Sequence, residues 1–352
     1  MARMVRTIAN KGVVGLAIKN RDRRTRKDYK KKLGPRLRPK ASALSLEQCS
    51  ANLLKATLDP FGMVNDVCIP FGNSRPSQKI RSLTRGTGSI GANGAAFIAV
   101  APTFVTDSAV AFMSTSAWAG GPIDCNDPNV TTINNPTGYA TSYFDNSGTI
   151  NQGRVCSVGL RVRYTGTELN KSGQIYLLST PDRVSMEGMN VITIGEFAET
   201  QISNFDRGWH TISTVAQEDT EWDYSPASGV SSTSTIYPMS AGVVSTLPGA
   251  GAPIMAVYIT GVKDMTFAFE LVVYSEVIGK SVQGLTTRNA ADLEGLGKVV
   301  QIASRVPALL AQGMLRAAAI ALAIKEVSSM SSMLVDVGRM AIGGGNRNSR
   351  IF

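Results

Sequence analysis

The architecture this sequence predicts is an all-β body of sandwich or jelly-roll type, set between a basic N-terminal arm and a helical C-terminal segment. Three observations predict it. Eight or so short apolar or alternating runs are joined by long Gly-, Ser- and Thr-rich connections, such as 119–151 and 224–252, which suits two packed layers better than an up-and-down barrel. Only 18% of the 352 residues are charged against 43% hydrophobic, enough for a substantial core. And the charge is segregated: residues 1–40 hold fifteen Lys or Arg against Asp22 and Asp28, a net +13, so with the whole chain at +10 residues 41–352 carry −3.

The arm comes first. Its densest part is Arg21, Arg23, Arg24, Arg26, Lys27, Lys30, Lys31, Lys32, Arg36, Arg38 and Lys40, broken by Gly34, Pro35 and Pro39. Almost nothing in it is apolar, so it cannot offset its ordering entropy and is predicted to be disordered unless a polyanion holds it. The run exceeds the 5–8 basic residues of an address tag. Nucleic acid, bound without sequence specificity, is the partner these residues predict, with affinity for a single strand falling about 0.7 log units per phosphate contact for each tenfold rise in salt.

Residues 41–62 read as a tether, with Ser45 capping a short helix whose apolar positions include Leu46, Leu53, Leu54 and Leu58. The body is assigned to 63–284. Arg75–Lys79 reads as loop. Gly86-Thr-Gly88-Ser-Ile-Gly91 matches GxGxxG, but the dinucleotide motif needs a helix after it. Here Ala95–Ala101 is instead a continuous apolar run ended by Pro102, which reads as a buried strand, so a cofactor loop is rejected. Ala109–Met113 is a further short strand. In Val158–Tyr164, Leu160, Val162 and Tyr164 alternate with Arg161 and Arg163, the period of a half-buried strand. Gln174–Leu178, Trp209–Val215, Pro253–Ile259 and Thr266–Val273 complete the set.

The pattern turns helical from Ala290, within a C-terminal segment assigned to 285–352. Val306–Ile324 is apolar or small except for Gln312 and Arg316, with Pro307 suited to a first helical turn. Its nineteen residues approach a membrane span. Arg316 near the middle argues against a resident one, at a cost of about 2.5–3.5 kcal/mol; burial in an assembly or conditional membrane contact is the expectation. Cys49, Cys68, Cys125 and Cys156 have no metal spacing and His210 is the single histidine, which excludes a zinc site and paired-histidine catalysis. The N-terminal residues form no apolar signal region, which predicts a cytosolic chain with reduced thiols.

Basic arm, β body and apolar helical tail, in that order, resemble the capsid proteins of small non-enveloped positive-strand RNA viruses, the nodavirus and noda-like group in particular. Leu58-Asp59-Pro60-Phe61 is similar to the segment those proteins place before the shell domain. Phe97–Thr103 resembles their early shell strand, and Arg154–Tyr164 with Gly173-Gln-Ile-Tyr-Leu after it their central strand pair. The likeness spans residues 55–280 discontinuously. It implies an eight-stranded antiparallel jelly roll, many copies of which tile an icosahedral shell, T=3 in type. The virion would be assembled in the host cytoplasm, with the arm turned inward onto packaged RNA.

The resemblance also implies a single-turnover self-cleavage. Asn289-Ala290 lies where strand gives way to helix, and the Asn289 amide attacking its own carbonyl would expel the Ala290 amine. By resemblance Asp59 is the carboxyl that shuttles protons, brought near on assembly. The released piece, 290–352, would contact the host membrane during entry. No cofactor is required beyond calcium at subunit interfaces, for which Asp124 and Asp127, or Asp219, Glu221 and Asp223, offer oxygen ligands. The competing expectation is a cellular RNA-binding protein, ribosomal or chaperone-like, with a basic tail. It accounts for the arm but predicts a basic body, and residues 41–352 are net acidic.

Overall fold

The computed structural model describes residues 46–71, 76–100, 111–125, 127–133, 152–168, 171–180, 186–216, 224–226, 254–278 and 291–328. The chain divides into two units, Met1–Leu44 and Ser45–Phe352, and all described residues belong to the second.

Eleven strands form two antiparallel sheets among the described residues. In chain order the elements are α1 (Gln48–Leu58), β1 (Gln78–Ser89), β2 (Ala95–Val100), β3 (Ala111–Ser114), β4 (Val130–Ile133), β5 (Gln152–Tyr164), β6 (Gln174–Thr180), α2 (Val191–Glu196), β7 (Gln201–Asn204), β8 (His210–Val215), β9 (Ser225–Pro226), β10 (Ile254–Thr260), β11 (Thr266–Ile278) and α3 (Leu293–Ala311). A further helix, α4, covers 316–328. The first sheet runs β1-β11-β5-β8 with β9 beside β5, and the second β4-β3-β2-β10-β6-β7.

Setting aside β3, β4 and β9 leaves eight strands whose pairing has a simple rule. The first pairs the last (β1 with β11), the second the seventh (β2 with β10), the third the sixth (β5 with β8) and the fourth the fifth (β6 with β7). That is one long antiparallel hairpin rolled into a sandwich, the jelly roll, and it is the fold class the sequence predicts.

Three apolar layers hold it. Val158, Leu160, Val162, Val257, Phe267, Phe269 and Leu271 fill the space between the sheets. Phe97, Trp118, Ile123, Ile194 and Tyr258 cover the outer face of the second sheet beneath α2. Leu53, Ala56, Val272, Tyr274, Leu296 and Val299 join α1 and α3 to the outer face of the first. Strand β2, with both faces covered, is buried at every position, so its run is uninterrupted rather than alternating.

The helical end departs from expectation. Val306–Ile324 is not one span: Pro307 lies inside α3, and the chain breaks at Gly313, whose φ of 80° belongs to the left-handed region. Among the described residues no helix is long and apolar enough to cross a membrane. The N-cap of α1 is Glu47, without a side-chain cap, while the expected Ser45 lies outside the described residues. Cys49 and Cys68, expected as free thiols, form a disulfide with Cα atoms 5.5 Å apart, joining α1 to the segment after it; Cys125 and Cys156 remain thiols.

Candidate functional site

The outer face of the first sheet gathers the groups that bear on function, because both terminal segments settle on it. Residue alternation sends Arg161 and Arg163 of β5 and Glu270, Val272, Tyr274 and Glu276 of β11 to this side. A one-residue irregularity between Tyr274 and Ser275 shifts the β11–β5 register. It turns Arg154 and Cys156 to this face as well, although Val158, Leu160 and Val162, also even-numbered, point into the core.

At the covered end lies a buried ion cluster. The Glu276 carboxylate, fully buried, accepts from Arg154 Nε at 2.7 Å, Ser77 Oγ at 2.9 Å and Ile69 N at 3.1 Å, with Lys79 Nζ at 3.7 Å. Arg154 also donates to Ile69 O at 2.8 Å, and its guanidinium lies 4.4 Å from the Tyr224 ring centroid. Burial pulls the Lys79 ammonium below its ordinary pKa despite the Glu276 charge. Burial works against the Arg154 guanidinium too, but Glu276 outweighs it and raises the group. Burial likewise pushes the Cys156 thiol well up, which makes it a poor nucleophile.

Asp292 fastens the two terminal segments to each other. It caps α3 by accepting from Gly295 N at 2.8 Å, and its other oxygen accepts from Ser50 Oγ at 2.6 Å and Glu47 N at 3.4 Å at the start of α1. Burial pushes this carboxyl up, but those hydrogen bonds and the Lys298 charge prevail and hold it below its ordinary value. At the far end of α1, Arg316 donates to Leu58 O from Nε at 3.1 Å and Nη2 at 2.8 Å, and to Thr211 O at 2.9 Å. The residue that argued against a membrane span is therefore a buried anchor tying α4 to α1 and β8.

Asp59 is the C-cap of α1. Pro60 sits on the bare backbone of Gly159, and its carbonyl accepts from Tyr274 Oη at 2.8 Å. Phe61 lies under the Arg161 guanidinium, 4.2 Å from it. Asn289 and Ala290 lie outside the described residues. Asp292, three positions after Asn289, is at the N-terminal end of α1, while Asp59 is at the C-terminal end, about 16 Å away by helix length.

The eleven arm residues Arg21 to Lys40 lie outside the described residues, as do Asp219, Glu221 and Asp223. Asp124 and Asp127 share a turn in which Asp127 N donates to Asp124 O and Asp127 Oδ1 accepts from Asn129 N at 2.7 Å. Among the described residues no three His, Cys, Asp or Glu side chains converge to hold a metal. His210, half-buried, bonds Ser203 and Asp206 and is a structural strand residue. Gly86 and Gly88 lie within β1, where the Phe269 and Phe267 rings occupy the space a Cβ would need. The glycines of the apparent phosphate motif are there for packing.

Neither a protein-family model nor a curated protein matches the chain. Solved structures do. The structure of infectious bursal disease virus, Gt strain, matches with a TM-score of 0.51 and 12% identity over 75% of this chain and 96% of that one. The VP2 subviral particle of the same virus matches with a TM-score of 0.47 and 11% identity, over 77% and 98%. Cocksfoot mottle virus matches with 0.32 and 11%, over 57% and 93%. At these identities the likeness is one of fold.

Proposed function

We propose that the chain is a viral capsid subunit, nodavirus-like, that assembles with many copies of itself into a closed icosahedral shell and gathers single-stranded RNA through residues 1–40. The observation that carries this reading is the rolled eight-strand hairpin with α1 and α3 locked together on one outer sheet face. The low-charge body suits subunit contacts, whose cores are depleted in charge. The arm enters α1 in sequence, so the helix-covered face is the one we assign to the RNA side. Cleavage at Asn289-Ala290, membrane contact by the released piece and calcium between subunits belong to the same proposal. In it, Asp59 reaches Asn289 through assembly, and a neighbouring subunit completes the shell of Asp124 and Asp127.

The test is to express the full chain, treat it with nuclease and sediment it through sucrose. Uniform closed particles holding protected RNA support the proposal. A slow peak with nuclease-sensitive RNA refutes it in favour of a cellular RNA-binding protein. A fragment ending at Asn289, absent in Asn289→Ala, supports the cleavage; a fragment that persists in that variant refutes its assignment.

A further inference from the structure

The first sheet's outer face has two halves. One is closed by α1 and α3 over the Glu276 cluster. The other is cationic and, among the described residues, is not covered by a helix. In one cross-strand row Arg85, Glu270 and Arg161 stand side by side on β1, β11 and β5, and both arginines bond the one glutamate, Arg85 Nε at 3.0 Å and Arg161 Nε at 2.9 Å. One pleat repeat along β5, about 7 Å, is Arg163. It is exposed, and its guanidinium carbon lies 4.5 Å from the centroid of Trp209, which Arg161 also covers at 4.3 Å. Arg81, exposed on β1, donates to Tyr274 Oη at 3.1 Å and meets the Phe61 carbonyl. Among the described residues neither Arg81 nor Arg163 makes an ion pair. Four arginines against Glu270 and Asp59, whose charge reaches Tyr274, give this half-face +2, on a body that carries −3 from residue 41 onward.

Arg161 and Glu270, with side chains only 25% and 13% exposed, belong to the packing of this face, whereas Arg81, Arg85 and Arg163 are exposed, and exposed charges of that kind add little to stability. The chemistry of the cluster fits a phosphate backbone. A guanidinium held over an aromatic ring offers the fork of N–H donors that matches two phosphate oxygens. Aromatic rings interleaved with cations are the common floor for single strands bound without sequence preference. The geography agrees: α1 is packed on this same face and is joined in sequence to the basic arm, and its C-terminus leads through Asp59-Pro60 to Phe61, under Arg161.

We propose that the cationic half of this face is a second binding site for single-stranded nucleic acid. Arg81, Arg85 and Arg163 hold phosphates, and Trp209 with Arg161 forms the floor beneath them. The proposal rests on the reading of the chain as an RNA-gathering shell subunit, and adds that the folded body, not the arm alone, touches the strand.

The experiment is binding of an oligo-uridylate to the unassembled full chain across a salt series. Three chains are compared: the unaltered chain, Arg81→Gln/Arg163→Gln, and a chain with the eleven arm residues changed to Gln. The double variant should flatten the slope of log affinity against log salt by about 1.4, two contacts at about 0.7 each. An unchanged slope in that variant, with binding lost in the arm variant, overturns the second site and leaves the arm reading standing. A flattened slope with an unaffected arm variant supports the site and overturns the arm. No change in either overturns both. Ultraviolet cross-linking of the unaltered chain to the same oligonucleotide decides independently of folding. Cross-linked peptides bearing Arg163 or Trp209 support the site, and cross-links confined to residues 1–40 overturn it. Protection of Arg81 and Arg163 by a second copy in RNA-free particles also overturns it, assigning the face to a subunit contact.

Discussion

Changing Glu276 to Gln keeps the shape of the side chain but removes the buried negative charge that Arg154 and Lys79 both face. Arg154 and Lys79 have side chains only 2% and 4% exposed, so neither can turn to water when its partner is neutralised. Breaking a buried pair from one side costs about 3–5 kcal/mol, because the remaining charge stays desolvated and uncompensated. With an m-value of about 3 kcal/mol/M, that moves the urea midpoint of the unassembled full chain down by about 1–1.7 M. The triple replacement Lys79→Met/Arg154→Met/Glu276→Leu removes all three charges together. It strands the backbone N–H and C=O of Ile69, at about 1–3 kcal/mol for each unsatisfied group, but leaves no bare charge. Exchanging a buried ion cluster for apolar groups is otherwise neutral or gains about 1–4 kcal/mol, which offsets those losses, so the triple variant should be more stable than Glu276→Gln alone, although it changes three residues instead of one. A Glu276→Gln midpoint within about 0.3 M of the unaltered chain, or a triple variant weaker than the single one, would refute the ion-cluster argument.

Asp292→Asn should cost about 1–2 kcal/mol by weakening a cap shared by two helices. The same group sets an acid limit. Its folded pKa is depressed below the ordinary 3.8, so its contribution is complete above that value and is lost as pH falls through the folded one. Unfolding monitored from pH 6 to pH 2 should show less acid dependence in Asp292→Asn than in the unaltered chain. Gly159→Ala places a methyl group where Pro60 sits and should detach the Asp59-Pro60-Phe61 turn, at about 1–3 kcal/mol, with faster proteolysis between α1 and β1 as the readout. Reduction of the Cys49–Cys68 disulfide, 19 residues apart in sequence, should lower stability by about 3 kcal/mol. Non-reducing peptide mapping checks the linkage itself, and free thiols at both positions would contradict it.

The jelly roll was legible where burial leaves a period. Val158–Tyr164 alternates because one of its faces is core and the other carries arginines. Ala95–Val100 is continuously apolar because both its faces are covered. The first half of β5 was legible only in the resemblance of Arg154–Tyr164, because the register shift reverses the alternation between Cys156 and Val158, and a period of two loses the strand there. Strand β1 was hidden by Gly86 and Gly88, which look like loop residues but make room for Phe269 and Phe267 from a neighbouring strand far along the chain. Strand β7 and helix α2 are too short to show a period at all. At the candidate site, Arg316 was conspicuous as the one cation in an apolar run, but its partners are backbone carbonyls at 58 and 211, which no local pattern announces. Glu276 had a weak signal, a carboxylate in an otherwise buried strand. Its meaning depends on Arg154 and Lys79, which only the folded sheet brings to it.

The central claim is that copies of this chain close into a shell with the α1- and α3-covered face of the first sheet turned inward onto RNA. An electron-microscopic reconstruction of nuclease-treated particles from the full chain, resolved well enough to place the two sheets, tests it most directly. The account predicts a closed icosahedral particle with that face lining the interior and nucleic-acid density against it. Closed particles with that face outward, or no closed particles at all, would contradict it.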